Sequence, residues 1–247
     1  MTELTTNLLS AFAVSMIISA MAKVHSQKLK AILYALPFPI TIALIGSNSI
    51  ATSLSISGLT LTGSFLWACY FLHAELKINI LATDVVLSVL YVATAYVLAH
   101  NLKLPYWTML GVYLAIWTTL MFLFRGVAFK YRKVAPAKTN AYLKALTIFV
   151  IAFGLFSAHQ YLAAFVVTFP YNGVFAVFEN RFGLLPQAAL FTRNCLALAA
   201  YFSANYLVGT HYSAPIRYAA SWLAFGAVLI AVNKLIKIDV RDTKSLR

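Results

Sequence analysis

The chain has 247 residues, 62% of them hydrophobic and only 10% charged, with a mean hydropathy of +0.83. A soluble domain carries about a quarter charged residues, so this composition excludes a soluble enzyme or binding module and points to a polytopic membrane protein. The net charge of +13 does not imply nucleic acid, because the lysines and arginines lie in short segments between apolar runs, where they set topology.

In hydrocarbon every backbone N–H and C=O must find an internal partner, which leaves helices or a closed barrel. Long apolar runs without strict alternation choose helices. Nine membrane helices are predicted, over 6–22, 28–47, 54–73, 78–99, 104–124, 141–158, 160–179, 185–207 and 212–236. The first run, "LLSAFAVSMIISAMA", has the look of a signal core. Its leader "MTELTTN" contains Glu3 and no basic residue, however, so a retained first helix is expected. With the N-terminus outside, the inner segments hold Lys23, Lys28, Lys30, Lys77, Arg125, Lys130, Arg132, Lys133, Lys138, Arg181 and the basic tail. The outer segments keep only Lys103 and Arg217, so an N-out, C-in orientation is expected. Cys69 and Cys195 both fall in apolar runs without metal-ligand spacing and read as packing residues.

Two prolines, Pro37 and Pro39, interrupt the second helix in "LPFPITIALIGSN". A shift of 131 residues sets this stretch over "VTFPYNGVFAVFEN", so that Phe38 and Pro39 fall on Phe169 and Pro170. The same shift sets Ala68 on Ala199 and Tyr70-Phe71 on Tyr201-Phe202. Two blocks in one register predict two four-helix repeats, residues 1–103 and 141–247. They are joined by a linker helix and a basic cytoplasmic loop over 104–140. One extra crossing inverts the second repeat, and paired proline-broken helices in inverted repeats point to a binding site near the bilayer midplane. Proline removes a donor and costs about 3 kcal/mol inside a helix. At that depth the break is tolerated only where protein or a wet cavity meets the freed carbonyls.

"LPFPITIALIGSN", followed by "TGSFLWACYF" and another apolar helix, resembles the GlpM family of small four-helix inner-membrane proteins. The resemblance covers residues 28–98 and, more weakly, 160–235; this chain departs from it by carrying two copies and a linker helix. It implies a fold and a bacterial inner-membrane location more than a chemistry.

Ionisable groups within spans are functional candidates by default. Arg193, beside Asn194 in the eighth helix, reads as an anion ligand, with Asp84, Glu179 or a substrate as its partner. Asp84 in the fourth helix and Glu179 at the end of the seventh are candidates for proton or ion coupling. Pro39, Pro170, Asn172, Arg193 and Asn194 are the expected substrate-binding residues. No HExxH, GxGD or phosphate-loop motif is present, so neither enzyme chemistry nor direct use of ATP is expected, and no metal or cofactor is implied. The first reading is therefore a small secondary transporter or flippase for an anionic, zwitterionic or lipid-linked solute. The second is a non-transporting membrane subunit of an envelope enzyme complex. The partners implied are the bilayer, that solute, and a second copy of the chain or a membrane partner subunit.

Overall fold

Proline and glycine punctuate these apolar runs, and the helices stop where they fall. The computed structural model describes residues 3–22, 32, 33, 35–47, 49–124, 127–132, 141–162, 164–171, 174, 177, 183–209 and 211–243. In chain order the elements are α1 (Glu3–Ala22), α2 (Phe38–Gly46), α3 (Ser53–Tyr70), α4 (Ile80–Asn101) and α5 (Tyr106–Leu123). Then come β1 (Ala128–Arg132), α6 (Ala141–Ser157), α7 (His159–Leu162), α8 (Phe165–Thr168), α9 (Leu184–Val208), α10 (Ala214–Leu235) and β2 (Asp239–Thr243). The expected helical class holds, with one addition: β1 and β2 pair in parallel, Ala128 opposite Asp239 through Arg132 opposite Thr243.

Local chemistry sets several of these ends. Asn79 accepts from the backbone N–H groups of Leu81 and Ala82 through its Oδ1, at 2.9 and 3.4 Å, and so caps α4. Thr52 donates its N–H to Ser55 Oγ at 3.1 Å at the start of α3. The far end of α3 widens into a π-helical turn, Phe71–Glu75. Gly209 closes α9 with φ of +44°, a conformation that side chains with a Cβ resist.

Four of the described helical segments are long and apolar enough to cross a membrane: Ser53–Glu75, Ile80–Asn101, Tyr106–Leu123 and Ala214–Leu235. Leu4–Ala20 and Ala145–Ser157 are apolar but shorter. The second and seventh predicted helices are not continuous. The second is bent at Leu36 and Pro37 before α2 begins, and the seventh is divided into α7, α8 and a turn at Phe169-Pro170. The physical reason is the one expected of proline: Pro37 and Pro39 sit at the start of α2, where a missing N–H is harmless, and Pro170 follows the end of α8.

Helix α9 is the axis of the molecule. It packs against α10, α3 and α5, and β1 rests on it. Helix α3 reaches α4, α5, α8 and α9; α1 lies against α6 and α2; α2 touches α8. Most of α9 is buried, including polar Gln187, Thr192, Arg193, Asn194 and Asn205. The outer helices have the opposite pattern, with Val85, Val89, Phe122, Leu223 and Ile230 all exposed. In water this surface would be an aggregation patch; in a bilayer it is the solvated face, and the polar groups turn inward.

One close approach fixes how α3 meets α8. A Cβ built on Gly58 would lie 1.9 Å from Thr168 Oγ1 and 2.7 Å from its Cβ, whereas one on Gly63 of the same helix meets nothing within 4 Å. Thr168 is β-branched and buried, so it has little room to turn aside. Gly58→Ala is therefore expected to destabilise the protein by about 1–3 kcal/mol through overpacking. Gly63→Ala should be neutral or slightly stabilising, as both unfolding midpoints in an SDS titration would show.

Candidate functional site

The freed backbone of the two proline segments converges on one cavity beside α9. Pro39, Ile40, Thr62, Thr168, Pro170 and Gln187 are among its walls, and about 650 Å³ of empty space, its mouth included, lies between the lining atoms. Small-molecule sites are mostly apolar with a few polar groups. The remaining walls here are Leu, Val, Phe and Tyr side chains, and none of the described lining residues is ionisable at neutral pH.

The broken backbone is satisfied from neighbouring helices. Thr62 of α3 donates its hydroxyl to the carbonyl of Thr168 at 2.5 Å, within a contact shared with the Gly58 carbonyl at 2.9 Å. Tyr171 returns its N–H to the Phe169 carbonyl at 2.7 Å and its hydroxyl to the Val166 carbonyl at 3.0 Å. Tyr91 of α4 lies 3.1 Å from Thr168 Oγ1. On the other side of the cavity, the Pro37 carbonyl accepts from both the N–H and the hydroxyl of Thr41, each at 2.7 Å. Thr41 Oγ1 in turn meets Tyr201 Oη at 2.8 Å and accepts from Trp222 Nε1 at 3.2 Å. Thr41 stands where the 131-residue shift sets Asn172.

Gln187 is the exception. Its side chain is 5% exposed, it forms part of the cavity wall, and its Oε1 has no hydrogen-bond partner. An unmet buried acceptor costs about 1–3 kcal/mol.

The other predicted site residues separate into three groups. Pro39 and Pro170 share the cavity. Asn172 and Glu179 lie outside the described residues. Arg193 and Asn194 are buried on α9 but away from the cavity lining. Arg193 donates to the Ile236 carbonyl at 3.2 Å, to Asn233 Oδ1 at 2.5 Å and to Asn194 Oδ1 at 3.3 Å. Ile236 is the C-cap of α10. The guanidinium therefore meets the negative end of that helix dipole, and a carbonyl without an intrahelical donor.

The same device appears at the opposite end of the hairpin. Arg217, expected in an outer loop, is buried in the first turn of α10 and donates to the carbonyl of Gly209, the C-cap of α9, at 3.2 Å. Its guanidinium carbon sits 5.1 Å from the Tyr218 ring centroid. Each helix of the antiparallel pair thus carries an arginine that caps its neighbour, and neither arginine is paired with a carboxylate among the described residues.

Asp84 lies one turn into α4, 7% exposed, and its Oδ1 has no partner; Thr83 Oγ1 and Ser88 Oγ are likewise unpartnered. It does not touch the cavity, but Asp84, Ser88 and Tyr91 recur at i, i+4 and i+7 on one face of α4. Tyr91 lies about 10 Å along the axis from Asp84 at 1.5 Å per residue, and its hydroxyl reaches the cavity residue Thr168.

The chain matches no family model, no curated protein and no solved structure. The GlpM-like resemblance gains no support from these comparisons, and the site stands on its own geometry. Gln187, Thr62 and Thr168 were not among the expected site residues, although "LLPQ" displays Gln187 in plain view.

Arg193→Met and Arg217→Met are each expected to lower stability by about 1.5–3 kcal/mol, the worth of hydrogen bonds to a charged donor. SDS unfolding of the single variants would read this. Neither change should alter the reactivity of a cysteine placed in the cavity wall, since neither arginine lines it.

Proposed function

We propose that the protein is an inverted-repeat membrane carrier in which a small solute occupies the cavity between Pro39 and Pro170 and reaches either side by rocking of the two halves. The observation that carries this reading is the meeting of two proline breaks, 131 residues apart in sequence, on one cavity. Broken backbone at membrane depth that faces a cavity, rather than lipid, is the pattern of carriers built from inverted repeats.

Packing gives further support. Under the 131-residue shift α1 corresponds to α6, α2 to the segment after Phe169, and α3 to α9. Helix α1 packs on α6, and α3 packs on α9, as elements related by an in-plane pseudo-two-fold axis do. Helix α5, the linker, contacts both α3 and α9. All nine predicted crossings are retained in this proposal, with the second and seventh as broken helices.

The orientation proposed is N-terminus outside and C-terminus inside, in a bacterial inner membrane. It is supported by the pairing of β1 with β2, which requires the basic connection and the tail to share a side. The bond of Tyr106 Oη with Ser203 Oγ at 3.1 Å likewise brings the two expected outer ends together. Asp84 is proposed as the coupling group. A carboxylate oxygen buried without a partner is stable only if a proton or a cation accompanies it, and its helix face leads to the cavity through Tyr91. Among the described residues, the cavity lining holds no cation for an anion. The solute class is accordingly revised from an anion held by Arg193 to an uncharged one.

Leu59 and Leu198 line the cavity from opposite halves. With buried Cys69 and Cys195 replaced by alanine, Leu59→Cys and Leu198→Cys test the reading with a membrane-impermeant maleimide. Each is expected to be labelled from both faces of oriented vesicles. Reaction from neither face, in a normally folded protein, would contradict the carrier and favour the non-transporting subunit.

A further inference from the structure

Phe169 lines both the proline cavity and a second, outward-facing groove between α4 and the α6–α7 pair. Val92, Tyr96, Leu155 and Tyr161 are typical of that groove, which encloses about 1390 Å³ of open space and is almost entirely apolar. Its wall on α4 runs from Ser88 to Val97, about 14 Å at 1.5 Å per residue. That is about half of a 30 Å hydrocarbon core, the depth of one leaflet. In the proposed orientation it is the outer leaflet.

Phe169 sits at a break in the helical backbone. It follows the end of α8 and precedes Pro170, with φ of −53° and ψ of 136°, so no helical hydrogen bond holds its own turn. Its ring is 6% exposed, lies in the hydrophobic core, and makes edge-on contacts with Tyr91 at 5.3 Å and Tyr171 at 5.0 Å. Beyond it lie the apolar cavity and the unpartnered Oε1 of Gln187. An acceptor with no ionisable neighbour among the lining residues selects an uncharged hydrogen-bond donor, because a charged head would be desolvated without compensation.

We propose that the solute is an amphiphile entering sideways from the outer leaflet, with its apolar chain in the α4 groove, its uncharged donor head at Gln187, and Phe169 as the door between them. This rests on the carrier reading above and names its substrate class. The occupant of the groove is a lipid chain and not a partner helix, because the groove is one leaflet deep and opens into a cavity with a polar end. A transmembrane helix needs both leaflets.

The probe is a monoacylglycerol with a diazirine on its chain, incorporated into nanodiscs holding the full chain and compared with a fatty acid of the same chain length. The expected result is cross-linking concentrated on peptides containing Val92 and Leu155, competed by unlabelled monoacylglycerol and not by the fatty acid. Val92→Trp, which fills the groove, should abolish it. Gln187→Met keeps the side-chain length and removes the acceptor. It should weaken competition by about five- to tenfold, the range one ordinary hydrogen bond supplies. Cross-links spread evenly over all lipid-facing helices, or a signal indifferent to Gln187→Met, would overturn the proposal. If that happens while Leu198→Cys is still labelled from both faces, the lateral route fails and the carrier stands. If the cross-link is specific but Leu198→Cys is labelled from neither face, the lipid site stands and the carrier fails.

Discussion

The structure depends on how backbone carbonyls are satisfied where proline has broken a helix inside the bilayer. Lipid supplies no donor, so each freed group must be met by the protein, from its own segment or from another helix, and that requirement helps to fix neighbours. The Thr168 carbonyl needs Thr62, which holds α8 against α3. The approach is so close that Gly58 has no room for a methyl group. The Pro37 carbonyl needs Thr41, and Thr41 is tied to Tyr201 and Trp222, which brings α9 and α10 to the first half. The cavity is the space left between segments held by these bonds, and its shape follows from them.

A second consequence is the division of labour among the helices. Because α9 is surrounded by protein, it can carry groups that lipid would reject. Thr192 accepts from Trp67 Nε1 through its hydroxyl and from Trp117 Nε1 through its carbonyl, at 3.0 and 2.8 Å, joining α3 and α5 to the axis. Asn205 accepts the N–H of Ala51 at 2.9 Å. The arginines at the two ends of the α9–α10 hairpin act in the same spirit, each neutralising the carbonyl end of the other helix. A deep arginine is thus explained by a helix terminus, with no anion required.

Much of this was legible. Composition and run length give the membrane class, and the repeated Phe-Pro dipeptide locates the cavity because proline has a fixed backbone consequence at any depth. What sequence could not resolve is direction. Arg193 read as an anion ligand and Asp84 as a coupling group, and only the packing of α10 shows that Arg193 is engaged by Ile236 and Asn233. Arg217 read as an outer-side topogenic charge, yet it donates to the Gly209 carbonyl. The polar stripe Gln187, Asn194, Tyr201 and Asn205, at i, i+7, i+14 and i+18, marked the buried face of α9 and was readable by helical period alone. The β1–β2 pairing was hidden, because two short charged segments more than a hundred residues apart carry no local strand signal.

The most direct test of the central claim is amide hydrogen exchange of the protein in lipid nanodiscs. Peptides covering 36–41 and 168–171 are expected to exchange far faster than those within Ala188–Asn205, because the broken segments border a cavity. Protection in those segments equal to that of α9 would mean continuous, dry helices and would contradict the account.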